Sequence, residues 1–418
     1  MLVLTRRCFL GTAAGGVAAW CGPGLFAQTG AKDAGAPASG SLLHAGATWR
    51  SFHSAMARRR DSSARLGREA DRWLTGDVIT IVHKKMPGPS GDPHDYVSLS
   101  PYSWPDPGKA DGLPWITRDG QVNPAFYDYD NPVLERFCHA VPRLVLQAEA
   151  ADSPPHARRA GRLLRAWFLD AETRMNPHLR YAQKTPGVTE GTAKGIIDAT
   201  SLVFLADAAS RLAFNEEWTA AHLAGVKGWF ARYVDWLLTS EAGRKECSAT
   251  NNHGSWYDAQ VACFAVFADR PDLARRQIER TTMQRIAKQI EPDGRQPAEL
   301  RRTLALTYCT YNLLAHACTA QVAATLGIDM WDWKTSDGRS LRVALQWLLP
   351  YYAREQEWKR PQIHPFDFTS AAVLLNLAWQ RTGDSALARV CDSVEEHPWQ
   401  RLLFSKASLT GRDVPRPG

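Results

Sequence analysis

Apolar residues recur at helical spacing over most of this sequence, and this pattern limits the folds that the chain can adopt. The first helical face follows Asn131-Pro132, and further helical segments are predicted at 155–173, 195–213, 216–239, 256–269, 271–289, 299–326, 339–355, 369–382 and 384–394. Strand-like alternation is scarce. About ten helices without a break in composition favour an all-α fold, in which antiparallel helix pairs form an (α/α)n toroid, an incomplete α/α barrel. An irregular helical bundle is the alternative.

A long loop region precedes these helices. Residues 85–130 contain eight prolines among Asp, Gly, Tyr and Trp, a density that excludes a long helix. Seven aromatic residues lie in the same segment, and such side chains need a surface to pack against. We therefore predict an ordered, aromatic- and Pro-rich loop. Tyr102 and Trp104 are candidates either for binding a sugar ring or for holding the loop onto the body.

The N-terminus has the features of an export signal. Arg6 and Arg7 precede a weakly apolar run, and no acidic residue occurs before Asp33. This pattern resembles a twin-arginine signal, which we assign to residues 1–28. A flexible leader at 29–45 and one folded domain at 46–418 would follow. We expect a periplasmic or secreted protein without stable membrane insertion after export, and a short N-terminal anchor is the alternative.

Charge and cysteine content narrow the classes of function. The formal net charge of +7 suits an anionic partner, but it is not gathered into the basic arms or stripes that would indicate nucleic-acid binding. Two of the eight cysteines lie in the signal, and the other six are scattered without CxxC pairs. HExxH is absent too, so we expect no metal site and no cofactor. The six cysteines are expected to be buried free thiols.

The run at 251–258 reads Asn-Asn-His-Gly-Ser-Trp-Tyr-Asp and stands just before an apolar helical segment. Asn and Ser are good helix caps, so one interpretation is a helix N-terminus with Trp256 packed behind it. Caps alone do not require this set of residues. An amide and an imidazole at a positively biased helix end can both donate to a carboxylate. We predict that Asn252 and His253 bind a carboxylate, with Trp256 as a further substrate-binding candidate.

Arg301, Arg302 and Tyr308 lie in a segment that the apolar pattern predicts to be one helix over 299–326. Arg301 and Tyr308 are at i, i+7 and would share a helix face. A positive charge beside a tyrosine stabilises the phenolate and lowers its pKa toward that of a useful base. Spacing alone leaves open whether Tyr308 is catalytic or a core aromatic.

Other polar residues allow competing interpretations. Gln183 and Glu190, in a polar loop before a predicted helix, are candidates for substrate contact. A glycoside hydrolase would need two opposed carboxylates, and the candidates are Glu190, Asp198, Asp258 and Glu299. Their spacing singles out no pair. A noncatalytic protein that binds acidic polysaccharides would keep the aromatic and basic residues without requiring Tyr308.

Three motifs in this order resemble the alginate lyase family of α/α-toroid polysaccharide lyases. They are the run at 251–258, the loop Asp-Tyr-x-Ser-x-x-Pro-Tyr-x-Trp-Pro-Asp-Pro at 95–107, and Arg-x5-Tyr at 302–308. The chain is similar to polysaccharide lyase family 38, which includes alginate and glucuronan lyases. The resemblance implies that Asn252 and His253 recognise a carboxylate and handle protons, that Tyr308 is the catalytic tyrosine, and that Arg302 accompanies it. Glu190 stands where alginate-specific relatives place an amide, so glucuronan is an equal candidate substrate.

Such enzymes cut an anionic uronic acid polysaccharide without water, by β-elimination. The C6 carboxylate is neutralised, the C5 proton is removed, and the oxygen leaving C4 is protonated. In glucuronate and mannuronate the C5 hydrogen and the C4 oxygen share one face of the ring, so Tyr308 can act as base and then as acid. Guluronate is inverted at C5, and His253 would be its base from the opposite face. The expected product carries a C4=C5 unsaturated uronate end.

Overall fold

A computed structural model describes residues 41–44, 56, 60–394, 397 and 399–403. The chain divides into two compact units, Met1–Asp33 and Ala34–Gly418, and every described residue belongs to the second. The predicted signal at 1–28 lies outside the described residues, as does most of the predicted leader at 29–45.

Helices make up most of the described part of the chain, as the apolar pattern predicts. They are α1 (Arg60–Asp71), α2 (Asn131–Ala151), α3 (Pro154–Phe168), α4 (Leu202–Arg211), α5 (Ala220–Thr239), α6 (Glu241–Cys247), α7 (Asn252–Phe267), α8 (Pro271–Gln277), α9 (Met283–Gln289), α10 (Pro297–Leu300), α11 (Ala305–Thr325), α12 (Leu341–Tyr352), α13 (Phe368–Thr382) and α14 (Ser385–Val394). Short 3-10 helices lie at Pro124–Asp128, Ala193–Ala199 and Gln400–Leu402, and a π-helical turn at Ile278–Thr282 joins α8 to α9.

Helices α7 and α11 form the centre of the molecule. Nearly every residue of both helices is buried, so neither has a polar face turned to solvent. A helix that is buried all round must be surrounded by other elements. Helix α7 packs against α4, α5, α8 and α11, and α11 also packs against α13. The N-terminal ends of α7 and α11 therefore sit on a rigid support.

The outer helices form hairpins. Only Asp152 and Ser153 separate α2 from α3, and this short connection makes the two helices antiparallel neighbours. Aromatic rings fill the space between these helices. Phe137 stacks on Trp167 with ring centroids 4.3 Å apart, and the ring centroids of Phe168 and Trp229 are 4.8 Å apart. These contacts bind α2, α3 and α5 into one core.

Two small sheets order the loop region of residues 85–130, and one of them joins it to a strand outside the region. Strand β1 (Val97–Leu99) pairs in parallel with β4 (Tyr181–Lys184), and β2 (Ser103–Trp104) pairs antiparallel with β3 (Ile116–Thr117). The buried carboxylate of Asp130 also holds the loop region in place, because it accepts hydrogen bonds from Lys84 Nζ at 2.7 Å and from the Val97 amide at 2.8 Å. The predicted ordered loop is confirmed.

The structure differs from the predicted segments in several places. The helix predicted at 256–269 begins at Asn252, the segment at 195–213 is divided into two elements, and the segment at 271–289 is divided into three. Helices α1 and α6 were not predicted. The continuous helix over 299–326 is wrong, since Thr303 and Ala305 form backbone hydrogen bonds with Ile363 and Pro361, and this pairing interrupts the helix between α10 and α11.

Among the described residues, no helix combines the length and apolar character needed to span a membrane. All six cysteines in this part of the chain are free, and five are buried, with Cys247 partly exposed.

Candidate active site

A cavity of about 620 Å³ opens where the loop region meets the ends of the central helices. The loop region, the 3-10 helix Ala193–Ala199, α6, the start of α7 and the connection between α10 and α11 all contribute to its wall. Six of the ten predicted site residues line it: Tyr102, Gln183, Asn252, His253, Arg302 and Tyr308. Residues that are far apart in sequence thus share one site.

Tyr308 lies in the first turn of α11 between two polar neighbours. Its hydroxyl is 2.8 Å from the hydroxyl of Tyr102, and the Arg302 guanidinium carbon lies 3.6 Å from its ring centroid. Burial, and next the neighbouring Tyr102, raise the pKa of Tyr308 well above its ordinary value, and Arg302 opposes this shift only in part. Tyr308 is therefore a neutral phenol at neutral pH, in contrast to the predicted lowered pKa.

Arg302 is fixed in place by Asp119. Its Nη2 lies 2.5 Å from Asp119 Oδ1, and its Nε lies 3.2 Å from both carboxylate oxygens. The Thr303 amide and hydroxyl also donate to Asp119 Oδ2, at 3.1 and 3.0 Å. Burial raises the pKa of Asp119, but these hydrogen bonds and the positive charge of Arg302 lower it overall. The carboxylate stays ionised and holds the guanidinium over the Tyr308 ring.

Asn252, the first residue of α7, is held by a buried glutamate. Its backbone amide donates to Glu299 Oε1 and its side-chain Nδ2 donates to Glu299 Oε2, both at 2.7 Å. Burial raises the pKa of Glu299, and the two bonds from Asn252 oppose this shift. An amide nitrogen carries two hydrogens, so Asn252, which lines the cavity although it is 0% exposed, has one N–H that Glu299 does not engage. Glu299 thus fixes the direction in which that N–H points.

His253 pairs with a second buried acid, Glu246. The distance from His253 Nδ1 to Glu246 Oε1 is 2.6 Å, and Glu246 is only 3% exposed. This contact leaves Nε2 as the ring nitrogen that can meet a ligand. Asn251 caps the helix by accepting a hydrogen bond from the His253 amide, which places the imidazole at the positive end of α7.

Gln183 reaches the cavity from β4. Its φ of +52° lies in the left-handed region, which is uncommon for a residue other than glycine. The Gln183 amide donates to Ser98 Oγ at 2.7 Å, and its Nε2 donates to Asp198 Oδ1 at 2.8 Å. These contacts fix the side chain at the wall.

Four predicted substrate-contact residues lie outside the cavity wall. Glu190 is exposed and pairs with Lys184 at 2.9 Å, and Arg301 is exposed on the surface. Trp104 donates from Nε1 to the Gln121 carbonyl and helps to hold the loop. Trp256 is 0% exposed and packs against Tyr311, with ring centroids 4.8 Å apart. The position of Trp256 contradicts a direct contact with substrate and agrees with the alternative of a Trp packed behind the cap.

The acids considered for hydrolysis are not in the cavity wall. Asp198, Asp258 and Glu299 are buried in hydrogen-bond networks, and Glu190 lies on the surface. The acids that do line the wall are Asp119, Glu135 and Glu246. Sequence reasoning missed Asp119 and Glu246, since each meets its partner only through the tertiary fold and no local spacing marks it.

Within the described residues, no group of three His, Cys, Asp or Glu side chains is placed to hold a metal ion. The cavity wall does contain hydrogen-bond donors and proton carriers, among them the amide of Asn252, the imidazole of His253, the guanidinium of Arg302 and the phenols of Tyr102 and Tyr308.

Comparison with known proteins gives a consistent result. The family model described as alginate lyase matches residues 80–358. The crystal structure of an alginate lyase from Bacteroides ovatus superposes with a TM-score of 0.81 at 34% identity, covering 89% of this chain and 99% of that one. Alginate lyase A1-III from Sphingomonas species A1 gives a TM-score of 0.50 at 17% identity, covering 78% of this chain and 88% of that one. No curated protein sequence matches. The structural similarity confirms the predicted α/α toroid.

Proposed function

Since the chain belongs to the alginate lyase family, we propose that its cavity binds a β-1,4-linked, alginate-like polyuronate and cleaves it by β-elimination. The protein is a polysaccharide lyase. The observation that carries the proposal is the position of Tyr308 under the guanidinium of Arg302, in one cavity with Asn252 and His253. The four acids considered for hydrolysis lie outside this cavity wall, and Asp119 and Glu246, which line it, are paired with Arg302 and His253.

In the proposed complex, the C6 carboxylate of the reacting sugar lies at the N-terminal end of α7. The free N–H of Asn252 donates to the C6 carboxylate, the Nε2 of His253 is a second donor when the ring is an imidazolium, and the positive end of the helix adds to its stabilisation. Because negative charge spreads onto this carboxylate as the C5 proton leaves, fixed donors stabilise the transition state more than the ground state. Glu299 and Glu246 hold the two donors in position.

Tyr308 moves the proton. Its phenolate takes the hydrogen from C5, the C4=C5 double bond forms, the C4–O bond breaks, and the phenol returns the same proton to the leaving oxygen. The phenolate must first form, although burial raises the pKa of Tyr308. Arg302 is the fixed positive charge that favours it. The reactive form is thus a minor species at neutral pH, and its share grows as the pH rises.

Ring geometry sets the substrate preference that we propose. One tyrosine can serve as base and acid for glucuronan and polymannuronate, in which the C5 hydrogen and the C4 oxygen share a face. For guluronate, His253 is the base on the opposite face, with Glu246 stabilising the imidazolium that forms.

The test is an incubation of the purified protein with glucuronan, polymannuronate, polyguluronate and hyaluronan. The ultraviolet absorbance of the conjugated C4=C5 double bond should rise with glucuronan or polymannuronate. Reducing ends without this absorbance would indicate a hydrolase and overturn the proposal. Binding without any cleavage would indicate a noncatalytic carbohydrate-binding protein.

We also propose that residues 1–28 direct export to the periplasm or beyond through a twin-arginine signal. The paired Arg6 and Arg7 before an apolar run support this. The test is cell fractionation of the full chain and of a variant with Arg6→Lys and Arg7→Lys. The variant should accumulate in the cytoplasm, and unchanged export would contradict the proposal.

A further inference from the structure

Two lysines line the same cavity without a counter-charge. Lys194 lies on the 3-10 helix Ala193–Ala199 and Lys245 lies on α6, and both side chains are exposed. Among the described residues, neither ammonium group forms an ion pair. Arg302 differs, because Asp119 already neutralises it.

The acids of the cavity wall are engaged with other partners. Asp119 pairs with Arg302, Glu246 with His253, and Glu135 accepts a hydrogen bond from Ser201. Among the described residues, Lys194 and Lys245 are thus the lysine and arginine side chains of the wall that no ion pair engages, so their ammonium groups are available to an anionic ligand. Opposite charge at the mouth of a cleft attracts and orients such a ligand.

The two lysines belong to one part of the wall. The 3-10 helix Ala193–Ala199 packs against α6, so their supporting backbones are neighbours. Lys245 directly precedes Glu246, the partner of His253. A positive pair thus borders the groups that bind the reacting sugar, and a cavity of about 620 Å³ falls in the range of sites that enclose ligands larger than a monosaccharide.

We propose that Lys194 and Lys245 form a second carboxylate subsite, which binds the uronate next to the one that is cleaved. This inference rests on the proposed lyase function, and it deepens that function by defining the minimal ligand as a chain of at least two charged sugars. The lysines position the polymer, whereas Tyr308 reacts.

The experiment measures binding and turnover for Lys194→Gln, Lys245→Gln and the double variant. Binding is measured by calorimetry in a Tyr308→Phe background with size-defined mannuronate oligosaccharides, and again with the same oligosaccharides after their carboxyl groups have been reduced to neutral alcohols. Lys288→Gln is the matched control, because Lys288 is exposed on α9 and does not line the cavity.

We expect Kd for the charged oligosaccharide to rise about threefold in each single variant and about tenfold in the double variant at low salt. The difference should shrink at high salt, because ions screen exposed charges. In enzymes that keep Tyr308, KM should rise while kcat changes little. Lys→Arg at both positions should retain most of the affinity, and the reduced oligosaccharide should bind all variants equally.

An unchanged Kd in the double variant overturns the subsite. An equal loss for the neutral oligosaccharide, or for Lys288→Gln, also overturns it, since the effect would then not come from a local carboxylate contact. If the wild type makes no unsaturated product from any polyuronate, the proposed lyase function fails, and binding measured on the wild type itself still decides the role of the lysines.

Discussion

At the scale of single residues, the site depends on how one partly buried phenol is surrounded. Tyr308 sits beneath Arg302, and Asp119 holds Arg302 in place. The charged pair has a direct effect on the phenolate, yet it leaves the ring free to approach a substrate from the cavity side. Sequence spacing pointed to Arg301 as the partner on the same helix face, and the break before α11 is what brings Arg302 there instead.

Replacing Tyr308 by Phe removes the proposed proton carrier and keeps the ring. We expect Tyr308→Phe to lose at least about a thousandfold in kcat, because a single residue here serves as both base and acid. Binding of a mannuronate oligosaccharide should change little, and calorimetry checks this alongside ultraviolet absorbance for turnover. Full activity in this variant would remove Tyr308 from the reaction.

Arg302 is expected to act through the pKa of Tyr308. In Arg302→Gln the positive charge over the ring is lost, so the pKa of Tyr308 rises further. We expect kcat/KM to fall at least about tenfold at neutral pH and then to rise with pH in parallel with the wild type, because the phenolate is a minor species in both enzymes. Arg301→Gln is the matched control, since Arg301 is exposed and outside the cavity wall. A kcat/KM equal to that of the wild type at neutral pH would show that the positive charge over the ring does not act on the phenolate of Tyr308.

At the scale of elements, the start of α7 is the most constrained part of the site. Arg285, on α9, crosses the first turn of this helix and donates to the carbonyl of Cys247 at 2.7 Å and to Asp258 at 2.8 Å. It passes so close to Gly254 that a Cβ built there would lie 2.1 Å from Arg285 Nη1 and 2.2 Å from the Ala249 carbonyl oxygen. Only glycine fits between these groups.

Gly254→Ala should therefore displace Arg285 from its buried pair with Asp258. We expect a loss of about 3 kcal/mol in the free energy of unfolding, measured by urea denaturation with circular dichroism. Gly228→Ala is the control: Gly228 lies within α5, and its added Cβ meets only Arg232 Nη1 at 3.7 Å. This variant should be more stable by up to ~1 kcal/mol, because alanine is the better helix former. Equal stability of the two variants would contradict the close packing at Gly254.

Helical periodicity predicted most of the elements because their apolar faces pack on a core. Periodicity did not predict the ends and breaks of helices that depend on tertiary contacts. The amide of Asn252 is satisfied by Glu299, and this lets α7 start before the apolar pattern begins. The segment at 303–305 pairs with 361–363, a partner about sixty residues away that no local pattern reveals. The π-helical turn Ile278–Thr282 likewise lies inside a periodic segment that reads as one helix.

At the scale of the whole molecule, the toroid brings distant short segments to one end of its central helices. The sequence motifs that carry Asn252, His253, Arg302 and Tyr308 predicted residues that do share a cavity. The buried acids behind them, Asp119 and Glu246, were not predictable, since a carboxylate partner supplied by another segment leaves no periodic or motif signal. The prediction that an arginine lowers the pKa of Tyr308 took only one charge into account. Burial by the surrounding cavity wall has the larger effect and raises this pKa.

This burial predicts the pH dependence of the wild type. Because the pKa of Tyr308 is raised and the phenolate is the reactive form in the proposed mechanism, kcat/KM should increase with pH from neutral into the alkaline range, by about tenfold per pH unit below that pKa. Initial rates of double-bond formation at low substrate concentration measure kcat/KM, which reports the free enzyme. Circular dichroism over the same pH range separates any alkaline decline caused by unfolding. A profile that falls from neutral to alkaline pH while the fold is intact would show that a protonated group, with His253 as the first candidate, limits the reaction in place of the Tyr308 phenolate.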